Sequence, residues 1–291
     1  MSLISTSFTR PTFLFIGADR CGSKWLHNVL RQHSSVLVPE IADPYFFDRV
    51  YSRGWKWYSD LFGKPDAAIK AIGELSHDYI FSTEAAKRIS HDLPDVKIIA
   101  TIRQPFSKSY SAFRLSQLAG HVDENFDEAL LNVPWLLDQV LYYRHLKPYF
   151  DLFPRHQIKV MIYDDLAKNP RMFAKEIFDF IGVDLIEHIP YERVFNAMVE
   201  PRFKYSGVLA RRFSDFFRTI GAEQLLGKLK SDLRIRKVFY RSMDNSPRAI
   251  IGREVFPHLV SKVNEDIENL ASLIGKDLSF WMQHERYVSV Q

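Results

Sequence analysis

The residue types and spacing of residues 17–24 could bind phosphate. They read G-A-D-R-C-G-S-K, whereas the nucleotide-binding P-loop reads G-x-x-x-x-G-K-[ST], with its lysine on the outer phosphates and its hydroxyl on Mg²⁺. Here Ser23 precedes Lys24, so these two side chains stand in the reverse order. The loop therefore predicts a nucleotide ligand that is not handled as Mg·ATP.

The residues on either side supply the elements that such a loop needs. Residues 13–16 form a short apolar run typical of a strand, and residues 23–30 carry apolar side chains at helical spacing. The N–H groups and dipole at the start of this helix favour an anion, and Arg20 and Lys24 add positive charge. The alternative is an ordinary strand-to-helix turn in which Ser23 caps the helix.

A second candidate phosphate site follows the apolar run of residues 96–102. A P-loop enzyme usually offers a carboxylate at the end of a neighbouring strand to hold Mg²⁺, but Arg103 follows this strand. Its forked guanidinium suits phosphate oxygens, and a helix predicted to start at Pro105 carries Ser111. The alternative is a surface arginine that caps a helix or pairs with an acid.

Together the two motifs resemble those of the sulfotransferases that use 3′-phosphoadenosine 5′-phosphosulfate, in their Golgi carbohydrate form and bacterial relatives. Residues 16–26 look like the family's 5′-phosphosulfate loop. Residues 98–111 look like its 3′-phosphate element, in which Ser follows Arg by eight positions. Further stretches are similar to the family's E-x-x-F-F-D, G-x-x-W-Y and E-K-[ST]-P-x-Y motifs and to a common bacterial ending: residues 43–48, 54–58, 73–79 and 275–281.

The resemblance implies metal-independent, in-line transfer of a sulfuryl group from this donor to a hydroxyl or amine of a small natural product or an oligosaccharide. Arg20 stands at the motif position of the loop lysine. Because a guanidinium does not deprotonate, its role would be electrostatic stabilisation of the leaving oxygen. The donor-binding residues implied are Arg20, Cys21, Gly22, Ser23, Lys24, Trp25, Arg103 and Ser111, with Arg202 and Lys204 as further candidates.

Two residues are candidates for the base that accepts the acceptor's proton. His77 falls where the carbohydrate enzymes have Pro, and the matching strand of cytosolic sulfotransferases reads K-T-H with the histidine as base. A neutral imidazole suits this task near pH 7. Asp43 stands at the position of the family's catalytic Glu, one methylene shorter. We expect His77 to be the base, with Asp43 orienting it or acting as the base itself; the alternatives are a strand-end histidine held by Asp78 and a turn before Pro44.

A further family position is changed in this chain. Leu75 replaces the strand lysine of E-K-[ST], so its contribution would have to come from Lys24, Lys56 or a later Lys or Arg. The aromatic residues Phe46 and Phe47 could line an acceptor pocket, but at this density aromatic side chains favour the core.

Composition narrows the class of protein. A chain of 291 residues with 46% hydrophobic residues can bury a substantial core. The net charge of +4 does not require nucleic acid as a partner, and Cys21, the only cysteine, excludes an intrachain disulfide. The amino-terminal residues indicate neither a signal peptide nor a membrane span. We expect a cytoplasmic bacterial enzyme and leave its oligomeric state open; a P-loop kinase or NTPase and a catalytically silent nucleotide-binding relative are the alternatives.

The order of apolar runs predicts the fold. Strand-like runs at residues 68–73, 97–102 and 158–163 alternate with helical patterns, which predicts an α/β fold with a P-loop-like central parallel sheet flanked by helices. Residues from about 191 onward look mainly helical. We expect one domain over residues 1–291, with a core at about 12–185 and a helical C-terminal part at about 190–285. Ligands of such sheets bind beyond the carboxyl ends of the strands.

Overall fold

A five-stranded parallel sheet lies at the centre of the computed structural model, which describes residues 8–122, 124–193, 199–201, 240–242 and 256–282. The strand order is β2-β3-β1-β4-β5, and every pair in this sheet is parallel. The predicted α/β fold class is confirmed. The strands are β1 Phe13–Gly17, β2 Val36–Leu37, β3 Ala71–Leu75, β4 Lys97–Ile102 and β5 Ile158–Ile162.

Helices connect the strands and cover both faces of the sheet. The short 3₁₀ helices are Tyr51–Arg53, Tyr79–Phe81, Arg155–Gln157 and Ser279–Met282. The α-helices are α1 Ser23–Arg31, α2 Gly54–Asp60, α3 Thr83–Asp92, α4 Pro105–Leu118, α5 Phe126–Asn132, α6 Pro134–Asp138, α7 Tyr142–Leu152, α8 Tyr163–Lys168, α9 Pro170–Ile181 and α10 Phe256–Ile274.

The core has two parts because successive side chains of a strand point to opposite faces of the sheet. In β1, Phe13 and Phe15 pack into the cluster formed with α1 and α9. Leu14 and Ile16 pack into the larger cluster formed with α3, α7 and α10. Every residue of β1 is buried, as a strand covered on both faces requires.

The strand order places a topological switch beside β1. From β1 the chain first builds β2 and β3 on one side of it, and then returns to place β4 on the other side. In open parallel sheets, ligands bind in the crevice at such a point, beyond the carboxyl ends of the strands. The segments that follow β1, β3 and β4 therefore hold the candidate site.

One sequence expectation, the position of a strand, needs correction. The strand predicted at residues 68–73 lies at Ala71–Leu75, because Asp66 holds the preceding residues in a turn by accepting the Ala68 N–H at 2.6 Å. Beyond residue 191, where a mainly helical part is predicted, the structure also has an antiparallel pair, β6 Val199–Pro201 with β7 Tyr240–Ser242. Strands of three residues are too short to show a periodic pattern.

Candidate active site

The turn between β1 and α1 has the geometry of an anion-binding loop. Gly22 takes the cap position of α1 with φ +91°, and no side chain caps the first turn. Ser23 is therefore the first helical residue and not the cap, and the N–H groups at the helix start are left for another acceptor. The positive φ strains any residue with a Cβ, and a Cβ at Gly22 would also lie 2.7 Å from Cδ2 of Leu166, so glycine is favoured there.

Arg20 and Ser111 join the two predicted phosphate motifs. Arg20 Nε donates a hydrogen bond to Ser111 Oγ over 2.9 Å, although the residues are 91 positions apart. Ser111 lies on α4 and is buried. Burial lowers the pKa of Arg20, and the nearby charge of Arg103 acts in the same direction. The three residues, named the loop cluster below, therefore form one positively charged group.

Arg103 is positioned by two tyrosines. The Tyr142 hydroxyl donates to the Arg103 carbonyl over 2.9 Å, and it lies 3.3 Å from the Arg103 N–H, which donates to it. The guanidinium lies 4.9 Å from the ring centre of Tyr163. The described residues place no carboxylate in ion-pair contact with this guanidinium. Its charge is thus available for an anion at the end of β4.

The other predicted donor-binding residues contribute in different ways. The Trp25 indole turns into the core, where it donates to the Tyr191 carbonyl over 2.9 Å and meets the Phe173 ring edge-on. Cys21 is buried, and burial raises the pKa of its thiol to about 12. For both residues, only the backbone N–H can face a ligand in the loop. Lys24 is exposed beside the helix start.

Asp43 and His77 meet beyond the end of β3. His77 Nδ1 lies 2.6 Å from Asp43 Oδ1, and the Asp43 N–H donates to the Leu75 carbonyl over 2.9 Å. Burial alone would lower the pKa of His77, but the hydrogen bond and negative charge of Asp43, together with Asp78, raise it above its ordinary value. Because Asp43 fixes the proton on Nδ1, Nε2 is the nitrogen that can accept one.

Tyr45 completes this second group, named the imidazole cluster and consisting of Asp43, Tyr45 and His77. Its hydroxyl lies 3.0 Å from His77 Nε2. The Arg49 guanidinium lies 3.9 Å from the centre of the Tyr45 ring and forms an ion pair with Asp78. Asp43 and Tyr45 both have positive φ, +61° and +53°. This strained segment places both side chains around one imidazole.

A buried carboxyl group on β3 stabilises the backbone of the imidazole cluster. Glu74 on β3 is fully buried and accepts hydrogen bonds from Tyr79 at 2.7 Å, Tyr58 at 3.3 Å and Ser76 at 2.8 Å. Burial raises its pKa to about 7 despite these donors. Ser76 Oγ also accepts the Tyr45 N–H over 3.0 Å. The network thus holds the backbone that carries Tyr45.

Gly17 allows a close approach between the start of the phosphate loop and the backbone of His77. It ends β1 with φ +132°, and a Cβ built there would lie 2.3 Å from the His77 carbonyl oxygen. Glycine therefore lets the segment after β3 approach the start of the phosphate loop. Asp19 in that loop also contributes to the raised pKa of His77.

The structure thus brings most predicted site residues to one edge of the sheet. Arg202 and Lys204 lie outside the described residues. Lys56 is exposed on α2 and pairs with Asp60, while Leu75, Phe46 and Phe47 are buried in the core. Sequence reasoning did not single out Tyr45, Lys108, Tyr142 and Tyr163. Tyr163 directly follows β5, so the strand-end rule could have identified it.

The described residues contain neither a candidate membrane span nor a candidate metal site. No helix in this part of the chain is long and apolar enough to cross a bilayer. Within the same residues, no group of three or more His, Cys, Asp or Glu side chains could hold a metal ion.

Comparison with known proteins identifies relatives of the chain. A family model described as "Sulfotransferase domain" matches residues 10–219. Mouse heparan sulfate glucosamine 3-O-sulfotransferase 3B1 is 28% identical over 185 residues, which are 60% of this chain and 47% of that protein. Mouse bifunctional heparan sulfate N-deacetylase/N-sulfotransferase 3 is 26% identical over 302 residues, 94% of this chain and 31% of that protein. The chain therefore spans less than half the length of these curated relatives.

A solved structure shares the fold. The crystal structure of a sulfotransferase from Alicyclobacillus acidocaldarius aligns with a TM-score of 0.66 at 21% identity. The alignment covers 94% of this chain and all of that one, 100%.

Proposed function

Because the chain belongs to the sulfotransferase domain family, we propose that it transfers a sulfuryl group from 3′-phosphoadenosine 5′-phosphosulfate to a hydroxyl or amine. One observation carries this proposal: the 2.9 Å hydrogen bond from Arg20 to Ser111. It joins the loop that resembles the 5′-phosphosulfate site to the helix that resembles the 3′-phosphate site. A ligand with an anionic group at each end fits this arrangement.

The two ends of the donor are assigned to different parts of the loop cluster. Arg20 and the uncapped helix start at Gly22, Ser23 and Trp25 hold the 5′-phosphosulfate, with Lys24 beside them. Arg103 and Ser111 hold the 3′-phosphate. As the bridging oxygen leaves, negative charge grows on it, so Arg20 and these N–H groups stabilise the transition state more than the ground state.

His77 is proposed as the base. Its Nε2 takes the proton of the attacking hydroxyl or amine while the new bond to sulfur forms and the bond from sulfur to the bridging oxygen breaks. Asp43 holds the other ring nitrogen at 2.6 Å and stabilises the imidazolium that results. This assigns Asp43 to orientation and leaves His77 to carry the proton.

The acceptor class is an oligosaccharide or a small molecule. The curated relatives are named for heparan sulfate and glucosamine, which supports a sugar. A cytoplasmic location, a bacterial source and natural product biosynthesis remain predictions made from the sequence.

Ligand-dependent thermal unfolding tests the donor assignment. We expect 3′,5′-bisphosphoadenosine to raise the melting temperature and Mg·ATP to leave it unchanged, because a ligand that binds only the folded protein stabilises it. Arg20→Ala should remove most of the shift. Stabilisation by Mg·ATP alone would instead indicate a P-loop kinase or NTPase.

Transfer of labelled sulfate tests the activity itself. The labelled donor is offered with a panel of sugars, alcohols, phenols and amines, and sulfated products are separated. Label in a product that wild type forms and His77→Asn does not form supports the proposal. Donor binding without transfer to any acceptor would indicate a catalytically silent relative.

A further inference from the structure

Lys108 is a buried cation that has no role in the donor binding or proton transfer proposed above. It lies on α4 with 0% of its side chain exposed. Its Nζ lies 2.7 Å from Asp19 Oδ1 and donates to Gln139 Oε1 over 2.6 Å. The same ammonium lies 5.4 Å from the ring centre of Phe81. Because this ammonium is fully enclosed, it cannot contact a sulfuryl donor bound at the loop. Any effect of Lys108 on donor binding therefore has to act through Asp19.

Lys108 and Ser111 hold two consecutive loop residues from one helix. They are three positions apart and so lie on the same face of α4. Lys108 pairs with Asp19, and Ser111 accepts the hydrogen bond from Arg20. The loop is thus fastened to α4 at two adjacent points.

Asp19 places a negative charge where an anion has to bind. It is the residue before Arg20, and its charge is the strongest of those acting on that guanidinium. Two like charges close together repel each other strongly where the dielectric constant is low. An unpaired carboxylate at this position would therefore weaken binding of a phosphate group at Arg20.

We propose that Lys108 is a positioning residue that neutralises Asp19, so that the loop keeps its net positive charge for the 5′ end of the donor. This inference rests on the proposed function. In this role, Lys108 affects binding of the sulfuryl donor through Asp19 and the loop, without contacting the donor. A purely structural role for the Lys108–Asp19 pair predicts a different direction of change in donor affinity.

Four proteins test the proposal: wild type, Lys108→Met, Asp19→Asn and the double variant. Isothermal titration with 3′,5′-bisphosphoadenosine measures the dissociation constant of each. Lys108→Met leaves Asp19 unpaired, and we expect affinity to fall roughly tenfold or more. Asp19→Asn removes the repulsion, and affinity should not fall. The double variant should bind within about threefold of wild type, since neither charge remains.

If the Lys108–Asp19 pair only held the loop in place, the result would differ, because substitution of either residue would loosen the loop. Both single variants and the double would then bind more weakly than wild type. Equal affinity of wild type and Lys108→Met, or a double variant as weak as Lys108→Met, would overturn the proposal. Lys147→Met is the matched control, because it also removes a Lys–Asp pair, at 2.5 Å, but on the surface of α7.

Folding and donor binding are controlled separately. Melting temperatures without ligand report whether each variant folds. If Lys108→Met does not fold, Asp19→Asn still decides: tighter or equal binding supports charge neutralisation, and weaker binding overturns it. Failure of wild type to bind the bisphosphate would remove the proposed function itself.

Discussion

The loop cluster and the imidazole cluster lie at the same edge of the sheet but are built in opposite ways. In the loop cluster, the charges of Arg20 and Arg103 act on each other beside a helix start that no side chain caps, and the neighbouring Asp19 is paired with Lys108. In the imidazole cluster, one histidine lies between Asp43 at 2.6 Å and Asp78 at 3.5 Å. The loop cluster therefore has positive charge available for a bound anion, whereas in the imidazole cluster the histidine is paired with aspartates of the protein itself. Binding and proton transfer should therefore respond separately to mutation.

The largest expected effect is on turnover. His77→Asn removes the proposed base, and kcat should fall roughly 10²- to 10⁴-fold. The dissociation constant for 3′,5′-bisphosphoadenosine should stay within about twofold, because the loop cluster is untouched. Steady-state kinetics and isothermal titration measure the two quantities.

His91→Asn is the control for that variant. His91 also pairs with a neighbouring aspartate, Asp92, at 2.8 Å, but it is 86% exposed on α3. We expect wild-type turnover from it. A large loss of bisphosphate affinity in His77→Asn would show that the two clusters do not act separately.

The next effect is on donor affinity. Arg103→Gln removes the proposed charge-assisted bond to the 3′-phosphate, and bisphosphate affinity should fall about 10- to 100-fold. Adenosine 5′-phosphosulfate lacks that phosphate, so its affinity should change little. Arg144→Gln, on the surface of α7, is the control. An equal loss for both ligands would assign Arg103 to the 5′ end instead.

The third effect is on pH dependence. The base has to be neutral, so turnover rises with pH through the raised pKa of His77. Asp43→Asn removes the negative charge that raises this pKa and leaves at most a neutral hydrogen bond to Nδ1, so the acidic limb of the kcat profile should move to lower pH. The maximal kcat should also fall, because the ring is less well oriented. An unmoved limb would mean that His77 is not the group that titrates.

The same variant makes a stability prediction of defined sign. A histidine whose folded pKa is raised stabilises the protein below its unfolded pKa, and this contribution disappears as pH rises through the folded value. Asp43→Asn should therefore destabilise the protein most at acidic pH. Urea unfolding at several pH values measures this difference.

Substitution of Glu74 is expected to have the smallest effect on turnover, and its main effect should be on the pH dependence of stability. Its pKa rises from 4.5 to about 7 on burial, so the folded state favours the neutral acid. The stabilisation is present at and below about pH 4.5 and is lost as pH rises toward 7. Glu74→Gln stays neutral, so its unfolding free energy relative to wild type should improve over this range, by about 3 kcal/mol. Glu84→Gln, an exposed carboxylate on α3, should show no such trend.

The sequence predicted the loop cluster better than the imidazole cluster, for a physical reason. A phosphate loop is a contiguous strand, turn and helix start, so the spacing of Gly17, Gly22 and Ser23 already encodes its shape. The parallel sheet follows from apolar runs in the same way. Arg103 and Ser111 could be predicted because Arg103 directly follows the apolar run of β4 and Ser111 stands eight positions later, as in the family's 3′-phosphate element.

The imidazole cluster depends on contacts that no local pattern encodes. Asp43 and His77 were candidates, but Tyr45 joins them only because two residues with positive φ turn that segment toward β3. Asp19 and Lys108 form an ion pair although they are far apart in the sequence, so no periodic pattern predicts this pair. Trp25 shows the converse, since its motif position suggested a ligand contact and its indole packs in the core.

Gly17 has a consequence for how the protein can be redesigned. Its missing side chain lets the backbone of His77 lie against the root of the phosphate loop, so substitutions there would shift donor and base together. Libraries aimed at new acceptors should therefore keep the end of β1 and the residues after β3 fixed. Diversity belongs in the segment between β2 and α2 with Asp43 retained, where Tyr45 can be exchanged while the donor-binding loop keeps its shape.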